Sequence, residues 1–138
     1  MAQTFTFELV SPERILFAGA VESVLVPSLE GEMTVLAGHA PVVATLKCGI
    51  VLVQTDAGHG KEFFVNGGLV EINPVATTIL AEQARFIEDV DNAVLDQEIL
   101  TAETRLAGST DVAEQKRLND TLVQLREFKG VFTERKAA

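Results

Sequence analysis

The constraint that bears hardest on this 138-residue chain is a change of punctuation near Ala84. All four prolines and eight of the ten glycines precede it, and only Gly108 and Gly130 follow. Frequent Gly and Pro breaks suit many short strands joined by turns, and their disappearance suits helices. The hydrophobic period changes at the same place. Phe5, Phe7 and Leu9 alternate with Thr4, Thr6, Glu8 and Val10, which is the period of two of a half-buried strand. Short apolar runs follow at Arg14 to Phe17, Val21 to Val26, Met33 to Leu36, Val42 to Leu46, Ile50 to Thr55, Lys61 to Val65, Leu69 to Ile72 and Ala76 to Leu80. Strands this short and evenly spaced predict a β-sandwich or flattened barrel with antiparallel strands. Asp56 to Gly60 reads as a hairpin loop.

From Asp89 the spacing is helical. Leu95, Ile99, Ala102 and Leu106 make one stripe, and Leu118, Leu122, Leu125, Phe128 and Phe132 make another. Asp89 or Asp91 suits the first N-cap, Gly108 a left-handed C-terminal cap, and Asp111 with Glu114 a capping-box start. The short link from Gly108 to Thr110 predicts antiparallel helices, stripe against stripe. Gly130 inside the second helix costs about 1 kcal/mol against alanine and predicts last turns that are frayed or dependent on a partner. The fold class is therefore α+β, with a sandwich domain over 1–86, a helical hairpin over 87–138, and the boundary between Gln83 and Glu88.

Charge and composition exclude several functions. A net charge of −9 opposes nucleic-acid and anionic-bilayer partners, which need clustered Lys and Arg. The single cysteine, Cys48, forms no internal disulfide, and its spacing with His39 and His59 matches no zinc pattern, so no metal is expected. No apolar run is long enough for a membrane span, and the N-terminus lacks a signal-peptide pattern. A soluble, cytoplasm-facing protein is expected. Glu30, Glu32 and His39 invite an acid/base reading, but no nucleophile in a G-x-S-x-G setting accompanies them, and no catalytic residue is expected. Exposed carboxylates around a turn glycine fit contact with a basic or amide-rich surface, while His39 is either part of that contact or a cap inside its own loop. Gly58-His59-Gly60-Lys61 is a poor phosphate loop, because Glu62 stands where Ser or Thr is needed. Asn66-Gly67-Gly68 reads as a bulge or a tight approach to a neighbouring strand.

The run Glu30-Gly31-Glu32 followed by Gly38-His39-Ala40-Pro41 and Lys47-Cys48-Gly49 resembles the signature of the epsilon subunits of rotary F-type ATP synthases. Phe64 to Ile72 with Thr78 to Ala81 resembles that family's next strands, and the likeness runs from Phe5 to about Phe132. The resemblance implies a non-catalytic central-stalk subunit that couples rotation of the c-ring to ATP synthesis. It places Glu30, Glu32 and His39 at the polar loops of the c-ring, and Ser11 at the gamma subunit. It also implies that the second helix can leave the hairpin, with Arg126 and Lys129 engaging acidic segments of the alpha/beta catalytic head and restraining hydrolysis. Such a subunit is peripheral to the cytoplasmic face of the bacterial inner membrane through its complex. One departure concerns nucleotide. Members that bind ATP in the hairpin carry an (Ile/Leu)-Asp-x-x-Arg-Ala element, whereas this chain reads Val90-Asp91-Asn92-Ala93-Val94-Leu95, with Val94 in the arginine position. No bound nucleotide or other cofactor is expected. The competing readings are a free-standing sandwich module whose hairpin recruits a soluble partner, and a small hydrolase using Glu32 and His39.

Overall fold

The computed structural model describes residues 3–56 and 59–137, so the Ala57-Gly58 tip of the expected hairpin lies outside the described residues. Eight strands are followed by two long helices: β1 (Phe5–Val10), β2 (Ile15–Val21), β3 (Ser23–Ser28), β4 (Gly31–Leu36), β5 (Val42–Thr45), β6 (Gly49–Asp56), β7 (His59–Ile72), β8 (Ala76–Phe86), α1 (Asn92–Gly108) and α2 (Val112–Ala137). They divide into two compact units, Met1–Glu88 and Asp89–Ala138.

In the first unit the strands run in the order β2-β1-β8-β7-β6-β3-β4, with β5 beside β7. Every pair is antiparallel except β1 with β8, which run parallel. The alternation read in β1 sets its inner face: Phe5, Phe7 and Leu9 are buried. They join Val24, Val26, Val51, Val53, Phe63, Val65, Val70 and Ile79 in one core. Burying side chains of this kind stabilises the fold by roughly 1.5–3 kcal/mol each.

The sequence predicts separate strands at 61–65 and 69–72; the structure joins them. Gly67 and Gly68 take φ of +78° and +117° and carry β7 through as a single strand. Its register against β8 continues unchanged, from Phe63 opposite Phe86 to Ile72 opposite Thr77. The glycines answer a close approach: a Cβ on Gly68 would lie 2.1 Å from the carbonyl oxygen of Leu80. On its other side β7 serves two partners in turn. Val65 pairs with Gly49 at the start of β6, and Leu69 pairs with Thr45 at the end of β5. The two short strands thus lie end to end along one long one.

The second unit is an antiparallel hairpin. Asp91 caps α1, its Oδ1 accepting the Val94 N–H at 2.8 Å. Gly108 ends the helix without the expected left-handed turn; Ser109 is the extended C-cap, and its N–H returns to the Leu106 carbonyl. Asp111 starts α2 by accepting the Ala113 N–H at 3.1 Å, and the reach back comes from Gln115 Nε2 to the Ser109 carbonyl, 2.8 Å. All five stripe residues of α2 are buried. On α1 the buried set is Leu95, Glu98 and Ala102, with Ile99 and Leu106 half-buried. α2 continues through Gly130 to Ala137, and Phe132, beyond the glycine, is 2% exposed and stacks on Phe128.

Candidate functional site

Glu30 and Glu32 occupy the β3–β4 hairpin. Its two-residue turn, Leu29-Glu30, is closed by Ser28 opposite Gly31, where φ of +123° favours glycine. Ser28 Oγ donates to the Gly31 carbonyl. The turn is pinned from outside by the Leu29 N–H to the Thr45 carbonyl at 3.0 Å and the Lys47 N–H to the Pro27 carbonyl at 2.9 Å. Both carboxylates are exposed on this fixed support. They line a cleft of about 430 Å3 between β4 and β5.

His39 is elsewhere. It sits in the loop after β4, so the whole strand separates it from Gly31, and Glu32 to Leu36 alone spans about 13 Å at strand rise. Gly38, at φ +80°, donates its N–H to the Pro74 carbonyl at 2.9 Å, and the His39 N–H reaches the Leu36 carbonyl at 3.2 Å. Nδ1 of His39 lies 2.7 Å from the Ala40 carbonyl. The imidazole is half-buried and bonded within its own loop. An acid/base site joining it to Glu32 has no geometry here, since a proton relay needs hydrogen-bond reach.

Ser11 is buried at 6% exposure. Its N–H donates to the Arg14 carbonyl at 2.9 Å and its carbonyl accepts the Arg14 N–H at 3.3 Å, while Oγ lies 3.2 Å from Glu13 Oε2. It therefore shapes a turn whose exposed residues are Pro12, Glu13, Arg14 and Ile15. The Arg14 guanidinium lies 5.1 Å from the centre of the Phe86 ring. A second exposed surface follows from the strand register. Val10, Leu80 and Leu69 stand opposite one another across β1, β8 and β7, and outward from the core.

In the hairpin, Arg126 Nη2 donates to Glu103 Oε2 at 2.9 Å, and Lys129 Nζ pairs with Asp96 Oδ1. Thr133 Oγ1 donates to Asn92 Oδ1 at 3.2 Å one turn further on. The two cations singled out by sequence thus bind the facing acids of α1. Val94 is half-buried in the first turn of α1, its N–H taken by the Asp91 cap. Arg85, the nearest upstream base, lies on β8 in the first unit.

Residues 4–87 match the family described as ATP synthase, Delta/Epsilon chain, beta-sandwich domain. An ATP synthase epsilon chain of Sinorhizobium medicae is 43% identical over 128 residues, which is 93% of this chain and 95% of that one. The chain belongs to the ATP synthase epsilon family. Its fold also resembles a chain of the Euglena gracilis mitochondrial ATP synthase OSCP/F1/c-ring assembly. That match has a TM-score of 0.70 at 23% identity and covers 94% of this chain and 81% of that one. A chain of the Tetrahymena thermophila mitochondrial ATP synthase central stalk and c-ring matches with a TM-score of 0.62 at 11% identity, covering 91% and 96%. Membership gives the resemblance found in the two sequence blocks its structural setting: one block is the β3–β4 hairpin with its following loop, the other the long β7 and its partner β8.

The cleft beside Glu30 and Glu32, the apolar outer row and the buried Glu98 were missed from sequence. The first two arise from which strands end up side by side. Glu98 carried a signal, since it falls three residues after Leu95 and four before Ala102.

Proposed function

We propose that the chain is a non-catalytic subunit of the central stalk of a proton-translocating F-type ATP synthase, transmitting rotation of the c-ring to the catalytic head. The observation that carries this reading is that the likeness to an ATP synthase epsilon chain extends over 93% of the sequence, sandwich and hairpin alike. In this reading the exposed carboxylates of Glu30 and Glu32 meet polar loops of the ring. Their rigid turn favours such a role, because an interface charge acts best when its position is already fixed. His39, at the other end of β4, is left to brace its own loop. The Ser11–Arg14 turn faces the gamma subunit, with Ser11 shaping it and its exposed neighbours making the contact. The two domains divide the work: the sandwich, 1–86, holds the rotor, and the hairpin, 87–138, restrains hydrolysis when Arg126 and Lys129 exchange Glu103 and Asp96 for acids of the alpha/beta head.

No helix among the described residues is long and apolar enough to cross a membrane. Attachment at the cytoplasmic face of the inner membrane then runs through the complex. The test is reconstitution: purified chain is added to bacterial membranes stripped of their own epsilon subunit, and ATP synthesis under an imposed proton gradient is measured. Restored synthesis is expected. Binding to the membranes' F1 without any restored synthesis, or no binding, refutes the assignment.

A further inference from the structure

β4 and β5 each pair on one side only, β4 with β3 and β5 with β7. Which backbone groups this leaves open follows from alternation. In β3, Pro27 has no N–H and sends its carbonyl away from β4 to Lys47, while Ser28 closes the hairpin with Gly31. Gly31, Met33 and Val35 therefore bond β3, and the N–H and C=O groups of Glu32 and Thr34 point to the free edge. In β5 the Leu46 N–H beyond its end goes to the Gly68 carbonyl of β7, and the Thr45 carbonyl turns the other way to Leu29. The same alternation turns the N–H and C=O of Val43 to the open side. Val43, 70% exposed, and Leu29, 56% exposed, set apolar side chains beside these groups, and Glu30 and Glu32 add two negative charges.

We propose that the cleft between β4 and β5 takes a short extended polypeptide segment of a partner subunit, bearing basic and apolar side chains, by strand addition. Open main-chain donors and acceptors call for another backbone, since water is the only alternative partner and an edge strand readily pairs. The β3–β4 ladder runs without a bulge from Ser28 to Ser23, and β4 carries neither Pro nor Lys to discourage such pairing. The charge of the occupant follows from Glu30 and Glu32. Its shortness follows from the ends: the Leu29–Thr45 hydrogen bond ties β5 to the β3–β4 turn at one, and only five residues, 37 to 41, join β4 to β5 at the other. This goes beyond the stalk contact above, which needs only the side-chain charges.

Amide hydrogen exchange, read residue by residue on the free chain and on the same chain assembled in its purified ATP synthase, tests the proposal. Exchange at Glu32, Thr34 and Val43 is expected to slow by about tenfold or more on assembly, the factor supplied by one hydrogen bond. Unchanged rates, or slowing spread evenly from Glu30 to Thr45, overturn strand addition and leave the charge contact to be judged by ATP synthesis. Thr34→Val keeps the outward N–H and Thr34→Pro removes it, without touching the bonds to β3. Assembly affinity is expected to hold in T34V and to fall about tenfold in T34P, again the loss of one hydrogen bond. Equal affinities of the two folded variants overturn the proposal. Should T34P fail to fold, the exchange pattern of the unmodified chain decides alone.

Discussion

Replacing Gly68 with alanine puts a Cβ 2.1 Å from the Leu80 carbonyl oxygen and 2.8 Å from the Ala81 Cα, at φ +117°. Two costs add. A left-handed backbone is worth about 1–2 kcal/mol against an L-residue. Pushing β8 away from β7 is an overpacking strain of about 1–3 kcal/mol, and each ladder bond stretched open loses about 1 kcal/mol more. A loss of about 4 kcal/mol is expected, a large share of the stability of a domain this size. Two other glycines separate the terms. Gly38 also has positive φ, +80°, but nothing lies within 4 Å of its Cβ position, so Gly38→Ala isolates the dihedral cost. Gly67, at φ +78°, would meet the end of the Glu82 side chain at 2.7 Å, and that carboxylate can swing aside. Urea denaturation of the three variants should give about 1–2 kcal/mol for G38A and G67A and about 4 kcal/mol for G68A. In a thermal melt, G68A should fall by roughly 15 °C or more. A G68A loss within about 1 kcal/mol of G38A refutes the argument, because it means that β8 yields freely and does not fix the glycine.

The hairpin ion pairs are half-exposed, so Arg126→Ala and Lys129→Ala should each cost about 1 kcal/mol or less in unfolding, with the loss shrinking in molar salt; a loss of several kcal/mol in either variant by chemical denaturation contradicts this. A chain ending after Glu88 should give the dispersed amide spectrum of a folded sandwich. One ending after Ala84 should be less stable, because it loses Arg85 and Phe86 from β8 and with them the Phe63–Phe86 ring pair at 5.5 Å; equal melting temperatures count against that role for the last residues of β8. Mg-ATP should show no saturable micromolar binding by titration calorimetry, since Val94 offers none of the charged donors a triphosphate needs, and a charge-assisted bond of about 1.5–3 kcal/mol is missing. One-to-one micromolar binding would point to another base, with Arg85 the first to replace.

Local periodicity made much of this legible. Phe5, Phe7 and Leu9 announced an inner strand face, and Leu118 to Phe132 announced a helical stripe that is buried in full. Asp91 was legible as a cap because capping is chemistry between residues three apart. What escaped depends on partners distant in sequence. The glycine pair was legible as a tight approach to a neighbouring strand, which the Leu80 carbonyl beside Gly68 makes; that residues 61–65 and 69–72 run on as one strand was not, because the pairing that joins them comes from β8. Gly108 reads as a left-handed cap, yet Ser109 closes the helix in extended form and the glycine has no such turn to make. Ser11 was legible only as a turn residue; its burial comes from the hydrogen bonds that the turn makes with Arg14 and Glu13. Glu32 and His39 are seven positions apart in sequence and look like neighbours, but a strand between them keeps them at its two ends.

The parallel pair of β1 with β8 has a consequence for how the molecule comes into being. Thr6 lies opposite Ala76 and Val10 opposite Leu80, so the first strand made waits for the last. On the ribosome the sandwich cannot close until β8 has emerged, and the pairings of β1 with β8, β3 with β6 and β5 with β7 across long stretches of chain put its closure in the millisecond-to-second range. The hairpin, synthesised afterwards, rests on contacts between helices adjacent in sequence and forms faster, in microseconds to milliseconds. Stopped-flow refolding should therefore resolve an early helical signal followed by a slow sheet phase, and a single phase common to both signals would contradict it. In refolding of the full-length chain, the segment translated last, 89–138, is then the one that folds first.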